Sequence, residues 1–183
     1  MVEKDNMGSP SPADMKIHRL IVALSDPSID IRHQAVQALG NMGRPAVEPL
    51  VQELAGAHDN DHRWYTALAL SGVGAPAIDF LISAMRVHPE TEFRRYAAAA
   101  LGNIGIPAIE PLINAMASND RELRGFLSLA LCRIGKPAVE PLTRRLDDAD
   151  DIIRSCATLT LWQMGETGIP EMVNKMQEEE KKE

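Results

Sequence analysis

The sequence predicts an all-α superhelical solenoid of short helix pairs, and three regularities predict it. An arginine recurs at Arg32, Arg63, Arg94, Arg124 and Arg154, in steps of 31, 31, 30 and 30 residues. Eleven residues after each stands a glycine (Gly43, Gly74, Gly105, Gly135, Gly165), followed two residues on by Pro45, Pro76, Pro107, Pro137 and then Thr167. Three apolar columns keep the same register. They are Leu39, Leu70, Leu101, Leu131 and Leu161, then Leu50, Leu81, Leu112, Leu142 and Met172, then Leu54, Met85, Met116, Leu146 and Met176. A repeat of this length marks units that bury their apolar faces only by stacking on one another.

The elements follow in order. Residues 1–12, with Gly8-Ser9-Pro10-Ser11-Pro12, read as a flexible N-terminal tail, and residues 13–183 as one solenoid. Met15 to Leu24 matches only a second helix, with Leu20 and Leu24 in two of the leucine columns, and so reads as a half-repeat cap. Five helix pairs come next. The first helix of a pair runs from an acidic cap to the Leu-Gly region, as from Ser28 to Leu39. Its apolar columns lie one before the arginine and three, six, seven and ten after it, which is helical spacing. The glycine ends this helix because it accepts positive φ without steric cost. The proline opens the second helix, where a missing N–H costs nothing. Ala46, Val47, Leu50 and Leu54 form the stripe that the second helix buries. The fifth copy is worn: Trp162 takes the slot of Gly40 and Gly102, and Thr167 takes the proline slot. It ends in Glu178-Glu179-Glu180-Lys181-Lys182-Glu183, polar as a terminal cap requires.

Composition agrees with this. In 183 residues, 45% hydrophobic and 25% charged, one domain can bury a sizeable core. Aromatics are only 4%, which leaves Leu, Ile, Val, Met and Ala to fill it, a mixture suited to helices. A net charge of −7 disfavours non-specific binding to phosphate backbones. Cys132 and Cys156 lack metal-type spacing and read as two small structural thiols in a reducing compartment. No stretch approaches the ~20 apolar residues of a membrane span, and the first residues lack the apolar run of a signal peptide. The expectation is a soluble cytoplasmic protein without a membrane partner.

The run from Asp30 to Leu50, Asp-Ile-Arg then Ala-Leu-Gly-Asn-Met-Gly-Arg-Pro-Ala-Val-Glu-Pro-Leu, resembles the HEAT-like repeats named after the phycobilisome lyases. The resemblance covers about residues 15–180. Tetratricopeptide and ankyrin patterns fit less well, having longer periods. The resemblance implies an armadillo-like, right-handed superhelix with first helices on the convex face and second helices on the concave face. It also implies a choice of functions, since such repeats serve as scaffolds, enzyme regulators, bilin lyases and a metal-dependent hydroxylase.

Residue by residue, most chemistries find little support. The hydroxylase pattern needs His-Glu pairs, and the chain has no such dipeptide. His58 and His62 are four apart, but His58 is expected in a loop before the helix. No Gly-rich phosphate loop or nucleophile elbow occurs, so no catalytic, cofactor or metal residue is assigned. A bilin-handling, lyase-like activity remains the alternative through resemblance alone. Nucleic acid is disfavoured further by a carboxylate column, Glu48, Asp79, Glu110 and Glu140, expected on the concave face at roughly 10 Å spacing. These acids also lie in the first turns of their helices, where the helix dipole favours them.

That leaves a non-catalytic scaffold that binds another protein of basic or mixed surface through the concave face. The expected contact strip is Arg44, Glu48 and Gln52, then Asp79, Phe80 and Ser83, then Ile106, Glu110 and Asn114, then Lys136, Glu140 and Arg144. Phe80 stands where other copies have proline, so the repeat does not demand it, and large aromatics dominate interfaces. Trp64, in a column that otherwise holds His33, Arg95, Gly125 and Ser155, is either a convex contact or a lid over a packing seam. The arginine ladder reads as inter-repeat glue, each arginine facing a neighbour's carboxylate from the column Asp30, Asp61, Glu92, Glu122.

Overall fold

The computed structural model describes residues 11–180, and within them the chain is an α-solenoid of eleven α-helices with no strand. Helix α1 spans Pro12–Ala23 and stands alone. The first helices of the five pairs are α2 (Ile29–Met42), α4 (Asn60–Val73), α6 (Thr91–Ile104), α8 (Arg121–Ile134) and α10 (Asp151–Gln163). The second helices are α3 (Val47–Gly56), α5 (Ile78–Val87), α7 (Ile109–Ala115), α9 (Val139–Arg144) and α11 (Ile169–Glu180). First helices pack on first helices and second on second, so the repeat period becomes one continuous core.

Helix α1 begins at Pro12, inside the segment read from sequence as a tail. The Ser11 hydroxyl accepts from the Asp14 N–H at 3.1 Å and the Asp14 carboxylate accepts from the Ser11 N–H at 3.0 Å, a reciprocal capping box. Residues 1–10 and 181–183 lie outside the described residues, so the rest of that tail and the end of the acidic run carry no structural statement.

The turn within each pair is built as the glycine column demands. Gly43, Gly74, Gly105, Gly135 and Gly165 hold φ of 65°, 77°, 81°, 75° and 57°, a region that L side chains avoid. Each proline then sits in a single 3-10 turn, and the α-helix proper starts two residues later than the sequence pattern suggests. The cause is a tight bond such as Ala46 N–H to Gly43 O (3.0 Å), repeated by Ala77, Ala108 and Ala138 at 2.9 Å. Ala46, Val47, Leu50 and Leu54 are all fully buried, as are Leu39, Leu70, Leu101, Leu131 and Leu161. Each such leucine contributes about 1.5–3 kcal/mol relative to an exposed one.

The apolar column before the arginine departs from the pattern at the N-terminal end. Phe93, Leu123 and Ile153 are buried, but Ile31 is 41% exposed because no first helix precedes α2 among the described residues. His62 occupies the same column in α4. It is satisfied there by Ser25 Oγ (2.6 Å) at Nδ1 and Glu53 Oε1 (2.7 Å) at Nε2, which ties the end of α1 to α3 and α4.

Candidate functional site

The strip expected to meet a partner lies along the second helices and the 3-10 turns that lead into them. Arg44, Glu48, Gln52, Asp79, Ser83, Ile106, Glu110, Asn114, Lys136, Glu140 and Arg144 are all exposed. Phe80 is different. It is half-buried against the core, and the Arg44 guanidinium lies 5.6 Å from its ring centroid. It is therefore not a free knob: the fold uses much of its surface, and Arg44 covers more through a cation–π contact. Ile106, 67% exposed, is the open apolar residue of the strip, and Val87 at the end of α5 is 74% exposed.

The carboxylate column is not uniform. Glu110 is held by two arginines, Arg145 Nη2 at 2.9 Å and Arg144 Nη2 at 3.6 Å. Arg144 also takes Glu140 at 3.1 Å, one turn away on its own helix. Arg145 in turn donates to Asp148 (3.1 Å). Glu110 first and Asp148 second raise the Arg145 pKa above the ordinary guanidinium value. A backbone N–H from Asp150, then Arg145, hold the Asp148 carboxyl below its usual range. Among the described residues Glu48 and Asp79 have no ion pair. The N-terminal half of the strip thus carries open negative charge, and the C-terminal half carries an Arg–Glu network already neutralised.

Two hollows lie on this face. One of about 430 Å³ between α5 and α7 is lined by Asp79, Ile82, Ser83, Arg86, Pro111, Asn114 and Ala115. Another of about 350 Å³ between α9 and α11 is lined by Lys136, Val139, Glu140, Thr143, Thr167 and Glu171. The first brings together predicted strip residues of neighbouring repeats, Asp79 and Ser83 with Asn114, whereas the second holds Lys136 and Glu140 of one repeat against Thr167 and Glu171 of the next. Trp64 lies apart on first helix α4, 40% exposed.

The arginine ladder holds the repeats together, but mostly not through the carboxylates named from sequence. Only Arg32 meets its expected partner, Asp61 of the next repeat, at 3.9 Å. Arg94 is 2% exposed and bonds Asp120, the N-cap of α8, at 2.6 Å. Its Nε also donates to the carbonyls of Met85 (3.0 Å) and His88 (3.1 Å) at the end of α5. Arg124 and Arg154 donate to the carbonyls of Ser118 and Asp148, the same six residues back as Arg94 to His88. Arg63 bonds Asn60, and Arg154 pairs with Asp151 in its own helix. Arg94, Arg124 and Arg154 share one task, to satisfy carbonyls in the loops between pairs, where no helical N–H reaches; Arg32 and Arg63 bond side chains instead. That partner is backbone, so no side-chain column announces it. The Arg94 hydrogen bond, followed by the Leu123 N–H, holds the Asp120 carboxyl below its ordinary value.

His58 lies exposed in the loop before α4, and among the described residues no group of three His, Cys, Asp or Glu could hold a metal ion. Both thiols are free, and burial pushes the pKa of Cys132 and of Cys156 up. Among the described residues no single helix is long and apolar enough to cross a membrane; α4 with the following turn and α5 passes only as a pair bent by 117°.

These features define a class, the stacked helical-repeat proteins, and sequence comparison narrows it. A family model of HEAT repeats matches residues 17–86 and again residues 78–162, and the chain belongs to that family. The phycobilisome-lyase type of repeat is not what that match specifies. No curated protein matches the chain. Among solved structures it is similar to an engineered protein, 18% identical over 87% of this chain and 85% of that one, with a TM-score of 0.34. It is also similar to a designed armadillo repeat protein, 18% identical over 88% and 92%, TM-score 0.34. A second designed armadillo repeat protein, in complex with the peptide (KR)4, is 17% identical over 84% and 83%, TM-score 0.32. These superpositions are too loose to bear on function.

Proposed function

We propose that the chain is a non-catalytic protein-interaction scaffold whose second-helix, concave face holds a partner of basic or mixed charge. The observation that carries this is the uneven strip: eleven exposed side chains in register, with Glu48 and Asp79, unpaired among the described residues, at one end and the neutralised Arg144–Arg145–Glu110 network at the other. Open carboxylates steer a basic segment toward the face and fix its direction along it, while Ile106 and Val87 offer apolar contact. The two free thiols support a reducing compartment such as the cytoplasm.

The test is affinity capture from a source lysate by the wild type and by Glu48→Lys/Asp79→Lys, after circular dichroism shows both helical. A protein retained by the first, lost from the second and released by salt supports the reading. Equal capture by both removes the concave face from it. The bilin-handling alternative draws on resemblance alone, and a lasting absorbance change on mixing the protein with a bilin and its apo-carrier decides it.

A further inference from the structure

The seams between successive first helices do not all close. Where α2 meets α4, a Cβ added to Gly40 would lie 3.1 Å from the Gly72 backbone. Where α6 meets α8, the Arg133 side chain lies directly over Gly102, with a carbon 2.6 Å from where a Cβ would stand. Between α8 and α10 a groove of about 230 Å³ opens, lined by residues that include Arg121, Arg124, Gly125, Ser128, Cys156 and Leu159. It borders a second hollow of about 340 Å³ over Phe126 and Leu129, at whose edge Glu122 accepts from the Thr91 hydroxyl at 3.1 Å.

Two repeat columns explain the opening. The column one after the ladder arginine holds His33, Trp64, Arg95 and Ser155 but Gly125 in α8, and a Cβ built there meets nothing within 4 Å. The next column holds Tyr65, Tyr96 and Phe126 but Cys156 in α10. The Tyr65 ring fills its seam beneath the Arg32 guanidinium, 4.7 Å from the ring centroid, whereas a thiol fills much less.

The groove has a distinct chemistry. Its floor is internally satisfied: Ser128 Oγ lies 2.9 Å from Thr160 Oγ1 and donates to Gln163 Oε1 at 2.7 Å. Its rim is apolar, with Leu129 and Leu159 at 55% and 61% exposed and Trp162 beside Leu159 at 62%. Its end at Arg121 and Arg124 is cationic, away from Glu122 of the bordering hollow. Among the described residues neither Arg121 nor Arg124 is paired with a carboxylate, whereas Arg32, Arg94 and Arg154 are. Trp162 fills a column that close helix approach keeps small at Gly40 and Gly102, so a further helix pair cannot stack on α10 in register. A second copy is therefore not expected to continue the solenoid beyond α10.

We propose that the α8/α10 groove docks an acidic peptide segment carrying at least one large apolar side chain. Its carboxylates meet Arg121 and Arg124, and its apolar anchor lies between Leu129 and Leu159. This surface is opposite in charge to the one under Proposed function and independent of it.

The test selects a phage library of random 12-residue peptides on the wild-type chain, then measures the enriched peptide, fluorescein-labelled, by anisotropy. Enriched peptides are expected to be net negative with a Leu, Phe or Trp. Arg121→Glu should weaken binding by about tenfold or more, as should Gly125→Leu, which fills the groove without changing charge. Glu48→Lys/Asp79→Lys should leave binding unchanged. Circular dichroism and thermal melts establish that each variant is folded. Absence of enrichment, enrichment of neutral or basic peptides, or binding that survives both groove variants overturns the proposal. So does a wild-type dimer in sedimentation that Leu159→Asp returns to monomer, since the occupant is then a second copy.

Discussion

The seam between α2 and α4 and the seam between α8 and α10 are built from the same sequence columns and end in different states. In the first, glycine meets glycine, the helices touch backbone to backbone, and Tyr65 fills the remaining space under Arg32. In the second, Cys156 replaces the ring, Gly125 removes a neighbour, and a groove remains with Ser128, Thr160 and Gln163 bonded across it. Register decides which helix lies beside which. The side-chain volume in one or two columns decides whether that adjacency becomes a packed core or a binding surface, because an unfilled gap forfeits its dispersion contacts outright.

The sharpest way to break this comparison is at the ladder arginines of a closed and an open seam. Arg94 is buried and holds Asp120 across the α6/α8 seam and two carbonyls at the end of α5, so Arg94→Ala should cost about 3–5 kcal/mol in urea denaturation. Arg124 at the open seam donates to a single carbonyl, and Arg124→Ala should cost only about 1 kcal/mol. Equal costs would mean that the two seams are energetically alike.

Gly40→Val tests the closed seam from its other side. The new side chain must displace the Gly72 backbone, for which about 1–3 kcal/mol is the expected penalty. A neutral result would show that α2 and α4 do not approach so closely in solution.

The period, the glycine stops and the buried leucine columns were all legible, because they repeat and because each has a local physical cause. The half-repeat α1 was legible in its leucines, but its capped start at Pro12 was masked by a Gly-Ser-Pro composition that reads as a tail. At the candidate strip, exposure followed from helical spacing at every position except Phe80, which Arg44 partly covers. The neutralisation of Glu110 by Arg144 and Arg145 reaches across a whole repeat, and no pairwise spacing within one helix reveals it. The α8/α10 groove had a sequence signal, Gly125 and Cys156 standing small in columns of larger residues. It reads as a cavity only once α8 and α10 are known to be neighbours.

Acid should weaken the closed α6/α8 seam. The folded-state pKa of Asp120 is lowered, chiefly by Arg94, so its contribution is fully present above the unfolded value near 3.8 and is lost as pH falls through the folded one. Thermal melts between about pH 5 and pH 2 should show a smaller loss of stability for Asp120→Asn than for the wild type. Asp148, lowered mainly by the Asp150 N–H and Arg145, keeps part of the acid dependence in that variant. Identical profiles for both proteins would place the acid-sensitive contacts outside the α6/α8 seam.

Gly125→Ala carries the smallest effect and the opposite sign. Gly125 lies in the body of α8, where glycine costs roughly 0.8–1 kcal/mol relative to alanine through backbone entropy. In a closed seam that gain would be cancelled, as the Cβ at Gly40 would meet backbone and that at Gly102 would meet Arg133. At Gly125 nothing lies within 4 Å of the added carbon, so the gain should appear in full as a melting temperature raised by about 2–4 °C. Such a rise means that the glycine is not kept for packing, and the space it leaves is then available to a ligand. A fall would mean that α10 closes onto α8 in solution and that the groove is filled by the chain itself.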